Sequence, residues 1–171
     1  MPILLLDSYP LSLITNPSNQ AEPIRCRSRI KQLLTHEILV AVPAIIHYEL
    51  RRALICGNKT KGVENLDRIK QMGIVHVPIT TEALNKAAEL WAWARKTGQQ
   101  TAHSDKIDID VILAAQSIIL AQDMGEHTVI ATSNVSDLQR YTFAEKWEDV
   151  TLEYFSKLHS EKNLDLSKSR L

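Results

Sequence analysis

Short apolar runs of strand length alternate along this chain with longer stretches of helical spacing, and that alternation leaves few folds open. The runs are residues 3–6, 38–42, 74–77 and 128–131. Each is too short for a buried helix and is bounded by polar or turn-forming residues, as a strand covered on both faces requires. Between them lie residues 22–34, 43–55, 63–72 and 80–97, and an apolar stretch that Asp110 opens. Strands that alternate with helices need crossover connections. The sequence therefore predicts an α/β fold with a central, mostly parallel sheet flanked by helices on both faces.

Local signals set the boundaries. Ser8-Tyr9-Pro10 is expected to break the first strand, and residues 16–19 form a loop by composition. Pro43 suits a first helical position and Gly57 a stop. Gly73 and Gly98 end the next two helices, Thr80 and Thr81 are candidate caps, and Glu82 favours the first turn. Residues 99–106 form a polar loop. Residues 150–152 are expected to add an edge strand. Residues 1–155 read as one domain, followed by a polar tail over 156–171 that is expected to fray.

Composition excludes several classes. Of 171 residues, 44% are hydrophobic, enough for a core without disulfides. Twenty basic residues balance twenty acidic ones, so net charge alone cannot bind nucleic acid; only a local basic face can. Two such faces are candidates: Arg25, Arg27, Arg29 and Lys31 on one helix, and Arg51, Arg52, Lys59 and Lys61. Each reads equally as a solvated helix surface. Cys26 and Cys56 are too few and too far apart for a disulfide framework or a zinc ligand set. The start lacks a basic leader and no apolar run approaches bilayer length, so a cytoplasmic location is expected.

Chemistry is concentrated in acids at strand ends and on adjoining helices. Asp7 ends the first strand, Glu49 lies on the helix after the second, and Asp110 stands in the first turn of an apolar helix. Asp137 follows Thr132-Ser133-Asn134 at the end of the last main strand. In parallel sheets the cleft lies outside the carboxyl ends of the strands, where Asp7 and Asn134 both fall. Converging carboxylates repel unless a cation joins them, and an all-oxygen set favours Mg²⁺ or Mn²⁺ over zinc. Each residue also has a plainer role. Asp7 caps a turn, Glu49 pairs with Arg51 or Arg52, Asp110 answers the helix dipole with Asp108 as the cap, and Asp137 is a loop residue.

Other chemistries find no support. The six histidines, His36, His47, His76, His103, His127 and His159, show no pair at ligand spacing and read as surface or core residues. There is no nucleophile elbow, and Gly57-Asn58-Lys59-Thr60 lacks the upstream glycine of a phosphate loop. A phosphoryl-accepting Asp7 would want a second Asp at position 9, which is Tyr. A DNA flap nuclease would need more carboxylates. Trp91 shares an apolar helical stripe with Leu84, Ala87 and Ala88 and is expected in the core. Trp93 points elsewhere and suits a subunit interface.

Leu6-Asp7, Tyr48-Glu49-Leu50-Arg51-Arg52, Asp110-Val111-Ile112-Leu113-Ala114-Ala115 and Ala131-Thr132-Ser133-Asn134-Val135-Ser136-Asp137-Leu138, in that order, resemble the PIN-domain nucleases, including the toxins of VapBC toxin–antitoxin pairs. The resemblance spans residues 3–152. It implies a Mg²⁺- or Mn²⁺-dependent endoribonuclease that binds RNA, with Asp7, Glu49 and Asp110 as metal-binding acids. Asn134 stands where many members carry a fourth acid, with Asp137 as a further metal ligand and Asp108 in the outer shell. It also implies a cognate antitoxin and a homodimer. Ser8-Tyr9-Pro10 replaces the usual Thr-Asn pair after the first acid. This departure, with Asn134, leaves open a PIN-like domain that binds RNA or protein without cutting.

Overall fold

The computed structural model describes residues 1–99 and 108–158. In chain order the elements are β1 (Ile3–Leu6), α1 (Ser8–Thr15), α2 (Ala21–Leu34), β2 (Leu39–Pro43), α3 (Ala44–Cys56) and α4 (Thr60–Asp67). A 3₁₀ turn (Ile69–Met72) precedes β3 (Val75–Val77), α5 (Thr81–Lys96), α6 (Ile109–Met124), β4 (Thr128–Thr132), α7 (Val135–Leu138) and β5 (Ala144–Lys146). Residues 152–158 are again helical.

The strands form one sheet in the order β3-β2-β1-β4-β5, and every pairing is parallel. β1 lies at its centre. Ile3, Leu4, Leu5 and Leu6 have no exposed surface, and each such side chain stabilises by ~1.5–3 kcal/mol. The chain steps outward from β1 to β2 to β3, then crosses back to β4 on the other side of β1. Helices α1 to α4 pack on one another, and α5, α6 and α7 form a second group. Right-handed crossovers in these two directions place the groups on opposite faces. The strand order reverses between β1 and β4, the place where ligands bind in open parallel sheets.

Several expectations need correction. Ser8-Tyr9-Pro10 does not lead into a loop but begins α1. Asp7 serves as its N-cap, accepting from Ser8 N–H at 2.6 Å, and Pro10 sits in the first turn, where an amide hydrogen has no helical acceptor. Residues 150–152 form no strand; the edge is Ala144–Lys146, held by Ile130 N–H to Phe143 O at 3.0 Å. Gly57 keeps a φ of −84° while Asn58 takes the left-handed conformation at 53°, so the turn after α3 relies on asparagine. Of the expected tail, residues 156–158 continue a helix, and 159–171 lie outside the described residues, as does most of the polar loop.

Candidate active site

Asp7 is buried, 8% exposed, and both its oxygens are occupied. Oδ1 accepts from Ser8 N–H, and Oδ2 accepts from the Thr132 hydroxyl at 2.6 Å. The Asp7 N–H donates to Ala131 O at 3.0 Å, which continues the β1–β4 ladder one residue beyond β1. Thr132 Oγ1 also accepts from Asn134 N–H at 2.9 Å. One hydroxyl thus joins the first acid to the backbone of the fourth position.

Asn134 is exposed and points its amide at Asp137, with Nδ2 to Oδ2 at 2.6 Å. The other Asp137 oxygen pairs with Arg140 at 3.1 Å. Arg140 also donates to Ser136 O and to Gln99 O, tying α7 to the end of α5. Asp137 is therefore clasped between an amide and a guanidinium in this arrangement.

Asp108 caps α6, accepting from Val111 N–H at 3.3 Å, and leaves Asp110 in the first turn. Burial first, then the charges of Asp7, Asp108, Asp137 and Glu49, push the Asp110 carboxyl up to about 6. All four acids lie within electrostatic reach of Asp110, so the structure brings Asp7, Glu49, Asp110 and Asp137 to one region, with Asn134 on its rim. Glu49 is half-buried and does not pair with a neighbouring arginine. Arg51 bonds Asp67 at 2.5 Å, and Arg52 lies over the Tyr48 ring.

Gln116, which sequence reasoning passes over, holds the helices in place. Buried on α6, it accepts from Ile45 N–H at 3.4 Å and donates to Val77 O and Pro78 O at 3.2 and 3.0 Å. It thereby ties α6 to the start of α3 and to the carboxyl end of β3, the supports of Asp110 and Glu49. A glutamine inside an apolar helical run is the only signal in the sequence that points to it.

The donor chemistry fits a hard divalent cation: oxygen ligands and crowded negative charge around Asp110. The spacing is more open. Among the described residues, no three His, Cys, Asp or Glu side chains stand together as a ready-made metal cage. Neither Glu49 nor Asp110 is held by a hydrogen bond among the described residues.

The first expected basic face does not form. Positions 25, 27, 29 and 31 point alternately to opposite sides of α2. Arg27 turns inward to Asn16 O and Ser18 O at 2.6 and 3.0 Å. Arg29 donates to Glu148 O and Val150 O, each at 3.1 Å. These arginines fasten loops, and only Arg25 and Lys31 remain exposed. In the second group Arg51 and Lys61 are ion-paired. The histidine reading also changes: His47 and His76 meet edge to face, with ring centroids 5.5 Å apart. Burial holds both below the usual imidazole range. His103 and His159 lie outside the described residues.

Sheet order and the reversal beside β1 define the class: this is the fold of the VapC-like PIN domains. Among solved structures, the chain is similar to VapBC2 from Rickettsia felis bound to a DNA fragment from its promoter. Identity is 16%, covering 85% of this chain and 98% of that one, with a TM-score of 0.67. It is similar to VapBC-1 from nontypeable Haemophilus influenzae at 16% identity, over 86% and 99% of the two chains, with a TM-score of 0.65. Mycobacterium tuberculosis VapC20, a toxin that cleaves the sarcin–ricin loop, aligns at 10% identity over 80% and 94%, with a TM-score of 0.51. Neither a protein-family model nor a curated protein sequence significantly matches the chain.

Proposed function

We propose that this protein is a Mg²⁺- or Mn²⁺-dependent endoribonuclease of the VapC type. The observation that carries the reading is the set of acids around Asp110, beside the reversal between β1 and β4. Asp7, Glu49 and Asp110 would hold the ion, with Asn134 offering a neutral carbonyl oxygen and Asp137 a further carboxylate once released from its clasp. Bound there, the ion supplies positive charge at a phosphodiester and lowers the pKa of water. The chain's own groups do the positioning. Thr132 and Ser8 fix the Asp7 carboxylate, Gln116 sets α6 against α3 and β3, and Asp110 and Glu49 approach from those helices. Asn134 makes the site one charge poorer than a four-acid site, which weakens a second ion.

The solved relatives are VapBC assemblies, which supports a small antitoxin as partner. No helix among the described residues is long and apolar enough to cross a membrane. A cytoplasmic toxin that assembles as a homodimer is the fuller form of the proposal. Trp93, 40% exposed and edge-on to Tyr141, is available to such an interface.

The deciding experiment is cleavage of single-stranded RNA with Mg²⁺ or Mn²⁺. Wild type cuts and Asp7→Asn does not. Asn134 and the clasped Asp137 favour one alternative, a PIN-like domain that binds without cutting. It takes over if no divalent ion supports cleavage.

A further inference from the structure

Helix α5 leaves Trp91 37% exposed, contrary to the core position expected of it, yet the end of that helix is tied down. Gln99 O, just beyond α5, accepts from Arg140 Nη1 at 3.1 Å, and Arg140 Nε donates to Ser136 O at 3.3 Å. Two backbone carbonyls thus fix the guanidinium. Its Nη2 pairs with Asp137 Oδ1 at 3.1 Å, and Asp137 Oδ2 accepts from Asn134 Nδ2 at 2.6 Å. Asn134, Asp137 and Arg140 stand three residues apart around the α7 turn, a spacing that puts side chains on one face. At its backbone, Asn134 donates to Thr132 Oγ1, and the same hydroxyl holds Asp7. A run of polar contacts therefore leads from Arg140 through Asp137, Asn134 and Thr132 to Asp7.

We propose that Arg140 and Asp137 are positioning residues, which fix the Asn134 side chain so that its carbonyl oxygen is the end offered to the proposed metal site. The inference rests on the nuclease reading of that site. It chooses between two roles open to Asp137, ligand after release or support for Asn134. Three observations select support. A carboxylate only accepts, so the edge of the amide that meets Asp137 is the nitrogen, and Oδ1 lies on the opposite edge. Both Asp137 oxygens are engaged, one by that amide and one by a guanidinium that stays charged at any working pH. Freeing Asp137 would leave Arg140, still held by its two carbonyls, as a bare cation beside the ion. Finally, an ion pair 34% and 30% exposed and three residues apart contributes little to stability by itself. Partners that orient a metal ligand from behind instead govern how well the ion is held.

The test is the Mn²⁺ dissociation constant, read from the rise of melting temperature with Mn²⁺ concentration, so that no cleavage is needed. Replacing Asp137 and Arg140 together leaves the net charge unchanged. Asp137→Ala with Arg140→Ala should weaken Mn²⁺ binding by roughly tenfold, and the same pair of changes should have no further effect in an Asn134→Ala background. Asp137→Asn with Arg140→Gln keeps the charge balance and an acceptor for the Asn134 amide, and should return binding to near the wild-type value. An unchanged constant in the alanine pair overturns the proposal. So does a loss that persists in full without Asn134, or a conservative pair as weak as the alanine pair, since Asp137 then meets the ion itself. Should the alanine pair fail to fold, Arg140→Lys takes its place. It keeps the charge but not the three-way fork and should weaken binding severalfold; unchanged binding overturns the proposal. No Mn²⁺ shift in wild type overturns it outright. Metal-dependent cleavage by wild type alongside an unchanged constant in the alanine pair removes the positioning role and spares the nuclease. A pair-dependent constant without cleavage of RNA under any divalent ion does the reverse.

Discussion

Thr132 donates its hydroxyl to Asp7 Oδ2 at 2.6 Å, across the junction of the two central strands, and accepts from the Asn134 amide with the same oxygen. Thr132 has no exposed surface, so water cannot replace either bond. Thr132→Val keeps the shape and removes both. Hydrogen bonds to charged groups contribute ~1.5–3 kcal/mol, and a buried carboxylate left short of a donor pushes toward the upper end. Urea unfolding should show a loss of about 2–3 kcal/mol for Thr132→Val and much less for Thr132→Ser. RNA cleavage should fall with the first and survive the second. A valine variant as stable and active as wild type would remove Thr132 from the site.

The Asp110 carboxyl, raised to about 6, ties stability to pH in a definite direction. In the unfolded chain the same group titrates near ~3.9. Between these values the native state holds more protons than the unfolded state, so stability falls as pH rises from about 4 to about 6 and the penalty is complete above that. A rise of this size corresponds to ~3 kcal/mol, and solvent screening of a half-buried group reduces this to ~1–2 kcal/mol. Without added metal, Asp110→Asn should therefore be the more stable protein at pH 7.5 and nearly equal to wild type at pH 4. Denaturation at the two pH values checks this. A variant equally destabilised at both would show that Asp110 makes a structural contact instead.

Arg27 separates a structural cation from a binding one. Its guanidinium closes the turn between α1 and α2 through Asn16 O and Ser18 O, while Arg25 on the same helix is exposed. Arg27→Ala should cost about 1–3 kcal/mol of stability. Its salt-dependent affinity for RNA should stay unchanged at a temperature where it is folded. Arg25→Ala should leave stability within ~0.5 kcal/mol. The melting curves and a salt titration of RNA binding distinguish the two; an affinity loss confined to Arg27→Ala would restore α2 as a basic face.

The sequence carries the four main strands and the parallel sheet, because apolar runs of strand length that alternate with helical stretches leave little freedom. It does not carry α1. Ser8-Tyr9-Pro10 looks like a break until Asp7 is known to cap the helix and Leu11 and Ile14 to be buried beneath it. The stripe containing Trp91 reads as core because periodicity reports an apolar face, not what covers it. Alternating arginines on α2 look like one patch because spacing along a sequence hides the turn of a helix. The partners of Asp137 and the role of Gln116 come from contacts that pattern does not encode.

Metal binding is where the acid cluster should respond most directly. Asp110 is raised by its acidic neighbours as well as by burial, and a divalent ion relieves that repulsion while binding only the folded chain. At a free Mn²⁺ concentration tenfold above Kd, the gain is about 1.4 kcal/mol, roughly 3–6 °C in melting temperature for a domain of this size. Asn134 withholds one charge, so millimolar Mn²⁺ should be needed and the metal-free protein should remain folded. Wild type should therefore melt higher with Mn²⁺, and Asp110→Asn should start higher without it and gain less. Asp7→Asn should also gain less, because it removes the buried carboxylate that Thr132 orients, the fixed member of the proposed ligand set. Asn134→Asp should gain more than wild type, since it restores a charge beside Asp137. Equal shifts in all four proteins would mean that Mn²⁺ binds elsewhere. With no cleavage under any divalent ion, that result would leave the acid cluster as a site for binding alone.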